Sequence, residues 1–270
     1  MGVQAVERLS FRALTVFIAF LFTFFLFMAI ATLFFVPGPG EILEALKSEE
    51  MVYSLKLSLI TASISTLLVI LIGIPIGYAL SRFEFRGKSA VKSIIDLPMA
   101  FPELVLGLAL LLLFGRTAIG ETLSDLGVKI VFTKLGIVVA QFFTALPYAV
   151  RVIYTAFEGV SPRYELVARS LGYSEFETFK RVTLPMAKEG LFASTIISFA
   201  RSMGAFGAVL ILAGGSYMNT EILPVTLYLN LSYGNIGMAI TSGIVLVMVS
   251  FLAILLFERL EGGKHGSVRG

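Results

Sequence analysis

Arg201 is the residue whose type and position most clearly suggest chemistry, because it stands inside a long apolar run. It lies about eleven residues beyond the start of that run near Gly190, or about 16 Å along a helix, which is close to the middle of a bilayer. A guanidinium at that depth should face the interior of a helix bundle. It would either line a path for an anion or pair with a carboxylate such as Glu103 or Asp96 and hold two helices together.

Two further residues are candidates for the same path. Gly204 follows Arg201 by three positions, and Glu103 opens another apolar run. The spacing of four between Ala200, Gly204 and Ala208 also favours a simpler interpretation, in which small residues let two helices pack closely. A translocation path lined by Arg201, Gly204 and Glu103 and a purely structural role are both open from the residues alone.

Residues for covalent or metal chemistry are scarce in the chain. The sequence has no cysteine and one histidine, His265, within a glycine-rich terminal stretch. It contains neither the HExxH pattern of zinc proteases nor a Walker phosphate loop, and an intramembrane aspartyl protease would need two membrane aspartates. We therefore predict no enzyme, no catalytic residue, no metal site and no cofactor. Energy for any driven transport must come from another chain or from an ion gradient.

The elements that position these residues are membrane helices. Hydrophobic residues make up 57% of the 270 residues and charged residues 14%, and the mean hydropathy is +0.92. Soluble domains carry about 25% charged residues, so this composition indicates an integral membrane protein surrounded by lipid. The net charge of +3 is small and does not indicate a nucleic-acid partner.

Six apolar runs are long enough to cross the hydrocarbon layer. The predicted fold class is all-α, a polytopic integral membrane protein with six transmembrane helices in a single domain of residues 1–270. Pro75 should interrupt the second helix, a short surface helix should lie within 116–134, and the apolar segment 222–230 should lie against the membrane or the pore. The polar residues 258–270 should form a flexible tail. The predicted spans are about 11–36, 55–80, 97–114, 135–157, 190–213 and 236–257.

Basic residues are concentrated in two of the connecting segments. Four lie within 82–92 and five within 163–188. The positive-inside rule places both segments in the cytoplasm, whereas the mostly acidic segment 41–50 should face outside. With six spans, both termini then lie on the cytoplasmic side of the cell membrane.

A polar stretch at 161–185 separates the fourth and fifth spans and begins with a predicted helix. Ser161 and Pro162 are typical of the cap and the first turn of a helix. Apolar residues then recur with the spacing of one helical face, and they are Tyr164, Val167, Ala168 and Leu171. A short amphipathic helix that rests on lipid headgroups is the simple interpretation of this pattern.

A second short helix follows in the same stretch. Gly172 suits a left-handed residue that ends the first helix, and Ser174 with Glu177 forms a capping-box sequence that starts the next. Pro185 should end the second helix, because the residue before a proline is pushed away from helical angles. The predicted arrangement is helix, glycine elbow, helix, which forms a coupling-helix pair if it docks on a partner.

This stretch resembles the cytoplasmic signature of ATP-binding-cassette (ABC) importer permeases, which is Glu-Ala-Ala, a glycine four residues on, and then Ile-x-Leu-Pro. Leu166 takes the glutamate position, with Glu165 one residue earlier, and nine residues separate Gly172 from Val182-Thr183-Leu184-Pro185. In that family the segment docks on the ATPase subunit. The resemblance therefore implies ATPase coupling for Glu165, Leu166, Val167, Ala168, Gly172, Leu184 and Pro185.

The segments 198–208 and 223–228 resemble the molybdate/tungstate branch of these permeases, and sulfate permeases are similar over the same stretches. This chain has Ala205 where the branch commonly has a glutamate, and Glu103 where a neutral residue is usual. The resemblance implies the permease of an ATP-driven oxyanion importer, for molybdate or tungstate, that works by alternating access. A sulfate or thiosulfate permease is the alternative, and an ATP-independent secondary transporter or channel is an alternative of another class.

The partners that the resemblance implies are all proteins. They are a dimer of ABC ATPase subunits, an extracytoplasmic oxyanion-binding protein, and a second copy of this chain. The homodimer is expected because one six-span chain makes half of a pathway in this family.

Overall fold

The structure is a computed structural model that describes the backbone of residues 2–262 and the side chains of residues 11–253 and 255. Every regular element in this range is helical, which confirms the all-α fold class. A 3-10 turn, Leu97–Met99, precedes α5, and a π-helical turn, Phe179–Thr183, joins α9 to α10. In chain order the α-helices are α1 (Gly2–Phe35), α2 (Pro39–Lys47), α3 (Glu49–Arg82), α4 (Lys88–Asp96), α5 (Glu103–Arg116), α6 (Ala118–Asp125), α7 (Lys134–Glu158), α8 (Pro162–Ser170), α9 (Glu175–Thr178), α10 (Leu184–Met186), α11 (Lys188–Gly204), α12 (Gly207–Ala213), α13 (Leu223–Ser232) and α14 (Ile236–Gly262).

Within the described residues, four helical segments are long and apolar enough to cross a membrane unbroken. They are Phe11–Phe35 of α1, all of α3, all of α7, and Ile236–Ala253 of α14. Two further candidates are bent pairs, α4 with α5 at 113° and α11 with α12 at 58°. The predicted number of six spans therefore holds if each bent pair crosses the membrane once.

α3 is continuous through Pro75, so the predicted interruption of the second span is wrong. A proline inside a membrane helix removes one donor but is tolerated where neighbouring groups satisfy the freed carbonyl. The glycines on either side of it let α3 approach α7 closely. A Cβ atom on Gly73 would lie 3.0 Å from Ile153 Cδ1, and one on Gly77 would lie 2.6 Å from Ile153 Cγ2.

The third predicted span is a straight helix only from Glu103 onward. Pro98 lies in the 3-10 turn and Pro102 is the cap of α5. Leu97, before Pro98, keeps helical angles, whereas Pro102 has a ψ of 142°, and the chain turns through 113° between α4 and α5. The surface helix predicted within 116–134 is α6, and the fourth span is α7, as predicted.

The fifth predicted span is also broken, at Ala205 and Phe206 between α11 and α12. Glycines bring α12 against α5 at this level of the bundle. A Cβ atom on Gly207 would lie 3.0 Å from the backbone nitrogen of Leu104, and one on Gly107 would lie 2.8 Å from the Cα atom of Ala208. No larger residue fits at either position without displacing backbone, so this contact holds α12 closely against α5.

The apolar segment that follows the fifth span lies within the bundle. α13 packs on α14 and α3, Val225 and Thr226 are fully buried, and the Leu223 N–H donates to Ser58 Oγ at 2.8 Å. α14 continues to Gly262, so the predicted tail does not begin at residue 258. Its remaining residues, 263–270, lie outside the described part of the chain.

Candidate functional site

Residues 161–186, here called the polar element, have the local structure that the sequence predicts as far as Glu177. Gly172 has a φ of +93°, which favours glycine because L side chains rarely adopt it. Ser174 and Glu177 make both hydrogen bonds of the capping box. The Ser174 backbone N–H and then its hydroxyl, both donating to the Glu177 carboxylate, lower the pKa of that group. The elbow between α8 and α9 is therefore fixed by backbone conformation.

The second helix of the polar element does not end at Pro185, so that prediction is wrong. α9 passes into the π-helical turn, and Pro185 lies in the first turn of α10. Because a proline is tolerated where no N–H is needed, the first turn of a helix accepts it. Helical structure continues to Met186, and α11 begins directly after Ala187.

The outer surface of the polar element carries several large apolar side chains. Leu171 is 76% exposed and Phe176 is 71% exposed. The four residues of the predicted apolar face of α8 do not all face the same way. Ala168 is buried, whereas Tyr164, Val167 and Leu171 are exposed. The remaining exposed apolar side chains are Leu166, Tyr173 and Met186. A group of large exposed apolar side chains of this kind is typical of a contact site.

Glu165 does not belong to that outer surface, because its side chain is buried. Its Oε1 atom accepts hydrogen bonds from Arg82 Nε and from Thr183 Oγ1, both at 2.8 Å. Arg82 also donates from Nη2 to the carbonyl of Val160 at 2.7 Å. The carboxylate is thus occupied within this chain, next to the exposed Leu166 and Val167.

Arg201 lies in the last turn of α11 and is exposed on this chain. Its guanidinium carbon lies 4.0 Å from the centre of the Tyr148 ring, on α7. Gly204 is exposed beside it, and a Cβ atom there would meet no atom within 4 Å. Gly204 therefore has no close packing partner in this chain, although Ala208 of the same series does. Tyr148 of α7 therefore lies against the Arg201 cation of α11.

Glu103 does not pair with Arg201. Its Oε2 atom accepts from the backbone N–H groups of Phe206 and Gly207, at 3.1 and 3.2 Å. Where the structure describes side chains, the ion pairs are Arg82–Glu165 and Lys88–Glu84, so the pairing of Arg201 with Glu103 or Asp96 is absent there. The carboxylate of Glu103 instead satisfies two donors that the break between α11 and α12 leaves free.

Two contacts at this site carried little signal in the sequence. Arg82 counted only as a loop charge, because its partner Glu165 is 83 residues away. The role of Glu103 as an acceptor for the fifth span depends on the break at Ala205, which no proline marks. The family departures at positions 103 and 205 were the one visible sign, since the carboxylate of Glu103 binds immediately beyond Ala205.

A polytopic helical chain with two bent helix pairs and one element rich in exposed apolar side chains is typical of a membrane transport component. Residues 70–264 match the family described as "Binding-protein-dependent transport system inner membrane component". The chain belongs to this family and is an ABC importer permease, a membrane transport component rather than an enzyme.

Three relatives illustrate the range of similarity. The chain is 34% identical to a probable molybdenum ABC transporter permease protein of Haloferax volcanii, over 96% of this chain and 94% of the relative. It is 33% identical to a molybdate/tungstate transport system permease protein of Methanocaldococcus jannaschii, over 93% and 97%. It is 31% identical to a sulfate transport system permease protein of Escherichia coli, over 81% and 79%.

Solved structures share the fold at lower identity. A bacterial ABC transporter involved in the import of alginate aligns with a TM-score of 0.73 at 17% identity, over 93% of both chains. The MetNI methionine ABC transporter, in an inward-facing form, aligns with a TM-score of 0.59 at 20% identity, over 79% of this chain and 97% of that chain.

Proposed function

We propose that this chain is the permease of an ATP-driven importer for an oxyanion, namely molybdate or tungstate. Relatives named for molybdenum or molybdate/tungstate include those at 34% and 33% identity over at least 93% of this chain and one at 37% identity over 75%, whereas the sulfate relative is 31% identical over 81%. A sulfate or thiosulfate permease is the alternative, because the identities differ by a few per cent.

The observation that carries this proposal is the environment of Arg201. An aromatic ring stabilises a cation without cancelling its charge, so the guanidinium stacked on Tyr148 stays available to an anion. An exposed arginine in the middle of a span faces a water-filled path or a second subunit. We place Arg201 and Gly204 on a path between two copies of the chain, where Gly204 leaves room beside the cation. Glu103 supports this path by holding the break next to it.

The proposed assembly contains two copies of this permease, a pair of ATPase subunits and an extracytoplasmic oxyanion-binding protein. The ATPase would dock on the polar element, whose exposed apolar side chains include Leu166 and Val167. The basic segments 82–92 and 163–188 and both termini then lie in the cytoplasm, in accordance with the positive-inside rule.

The proposed cycle is alternating access. ATP binding closes the ATPase subunits, the polar elements move with them, and the permease pair opens toward the binding protein. Release of the oxyanion into the path and hydrolysis of ATP then return the pair to the inward-facing state. A weak cationic site suits this cycle, because a tightly bound anion would not leave.

The test is uptake by lipid vesicles that contain the permease and its ATPase subunit, with ATP inside and the binding protein outside. We expect radiolabelled tungstate to accumulate, and unlabelled molybdate to compete with it at lower concentration than sulfate does. Stronger competition by sulfate would transfer the assignment to the sulfate alternative. Accumulation that follows an imposed ion gradient without ATP would reject the importer in favour of a secondary transporter.

A further inference from the structure

The two ion pairs among the described side chains differ in their surroundings. Lys88–Glu84 joins residues four apart, and the glutamate side chain is 89% exposed. Arg82–Glu165 joins the last residue of α3 to α8, and its side chains are 9% and 7% exposed. Exposed pairs contribute little to stability, whereas a buried pair requires nearly ideal geometry and additional hydrogen bonds. The second pair is therefore the one whose position demands an explanation.

The buried pair connects four segments of the chain. Glu165 of α8 accepts from Arg82 of α3 and from Thr183 of the π-helical turn, both at 2.8 Å. Arg82 donates a second hydrogen bond to the carbonyl of Val160, in the link that follows α7. Thr183 is fully buried. Charge-assisted bonds of this length are directional, so the pair fixes the angle of α8 relative to α3 as well as its distance.

Apolar packing already holds the same elements together. The ring of Tyr78, one turn before Arg82 on α3, lies 5.5 Å from the ring of Phe157 on α7 and 4.6 Å from that of Phe179 in the π-helical turn. These rings belong to a buried cluster that also includes Ile153. Because this apolar cluster already packs α3, α7 and the π-helical turn together, the ion pair is not needed for that packing and can have another role.

The π-helical turn links the ion pair to α11. Such turns are rare and often occur at functional sites. Thr183 lies at its end, immediately before α10, and α11 with Arg201 follows after Ala187. A displacement of α8 therefore reaches α3 through Arg82 and α11 through Thr183, by way of one carboxylate.

We propose that Arg82 and Glu165 form an internal latch that makes α8, α3 and the start of α11 move together when the ATPase moves the polar element. This role rests on the proposed function. It makes both residues positioning residues, since Glu165 acts inside its own chain and leaves ATPase contact to the exposed Leu166 and Val167. Breaking the latch should leave ATP hydrolysis intact but reduce the anion imported per ATP.

The first test measures oxyanion uptake and ATP hydrolysis together in vesicles that contain the assembled transporter. Glu165→Gln should lower uptake per ATP by about fivefold or more, the range of typical coupling between sites. Glu84→Gln, in the exposed pair of the neighbouring loop, should leave the ratio unchanged. A normal ratio for Glu165→Gln would overturn the latch.

A double variant, Arg82→Gln with Glu165→Gln, separates coupling from folding. It leaves no buried charge unpaired, so its thermal stability should return toward that of the unaltered protein, while its uptake per ATP should stay low. If uptake per ATP recovers together with stability, the pair is a structural contact and the proposal is wrong.

The last test does not depend on the transported ion. Spin labels on Ser63→Cys of α3 and Ser170→Cys of α8, in a chain with no cysteine of its own, report the position of α8 relative to the bundle. The distance distribution should be narrow with the latch intact and broad in the double variant. Equal widths would overturn the latch. Broadening together with an absence of ATP-driven uptake in the unaltered protein would reject the proposed function and leave the latch standing.

Discussion

Arg82 and Arg201 both lie in membrane helices, but their surroundings differ. The Arg82 side chain is 9% exposed and is bonded to the Glu165 carboxylate at 2.8 Å. Arg201 is exposed on this chain and stacks on the Tyr148 ring at 4.0 Å. A buried charge needs an opposite charge, whereas a charge that faces water does not. The comparison indicates that Arg82 fixes geometry at the end of the bundle next to the polar element, whereas the proposed function requires Arg201 of α11 to stay available for an anion.

The largest effect is expected from Gly172→Val, which alters the elbow of the polar element. A Cβ atom at position 172 would meet nothing within 4 Å, so the cost comes from the φ of +93° and amounts to about 1 kcal/mol or more. Membrane insertion should survive, but capture of the ATPase subunit and uptake should both be strongly reduced. Gly40→Val is the control, since that site also has open space and no positive φ. Normal ATPase capture by Gly172→Val would contradict docking on the polar element.

A smaller effect is expected from Glu103→Leu, which removes the carboxylate at the break between α11 and α12. The N–H groups of Phe206 and Gly207 would lose their acceptor, at a cost of about 1–3 kcal/mol. The melting temperature of the purified permease should fall by several degrees. The melting temperature should fall less for Glu103→Gln, which keeps one acceptor oxygen, and should not change for Glu121→Leu at an exposed site. An unchanged melting temperature for Glu103→Leu would show that water satisfies these donors.

The same two regions show how far the sequence can be interpreted. Capping residues and Gly172 act through local backbone preferences, so the two helices of the polar element and their elbow were predictable. The break at Ala205 and the pairing of Arg82 with Glu165 were not, because both depend on contacts between residues that are distant in the chain. Pro75 misled for a related reason, since whether a proline interrupts a membrane helix depends on its neighbours.

A third region, at the other end of the bundle, sharpens the comparison because it buries a carboxyl group that forms no ion pair among the described side chains. Glu221 lies between α12 and α13 and is 2% exposed. Burial, and then the nearby carboxylate of Glu50 on α3, raise the pKa of Glu221 from 4.5 to about 7. Thr226 of α13 also interacts with Glu221, and Asn230 donates to Glu50 at 2.6 Å.

The folded state therefore binds the Glu221 proton more tightly than the unfolded state does. The stabilisation is fully present below pH 4.5 and is lost as the pH rises through about 7. The melting temperature should fall modestly between about pH 5 and pH 8, and Glu221→Gln should flatten this dependence. Glu44→Gln, at an exposed site of α2, should retain it. Equal slopes for the two variants would show that Glu221 does not titrate in this range.

The most direct test of the account is Arg201→Gln, measured for uptake and for thermal stability in the same preparation. The variant keeps volume and hydrogen-bonding capacity but loses the charge, and Arg116→Gln, at the exposed end of α5, is its control. We predict that oxyanion uptake falls about tenfold, equivalent to about 1.4 kcal/mol, while the melting temperature stays within about 1 °C. A lower melting temperature with unchanged uptake per folded transporter would show that Arg201 is a structural residue like Arg82, and would contradict the comparison.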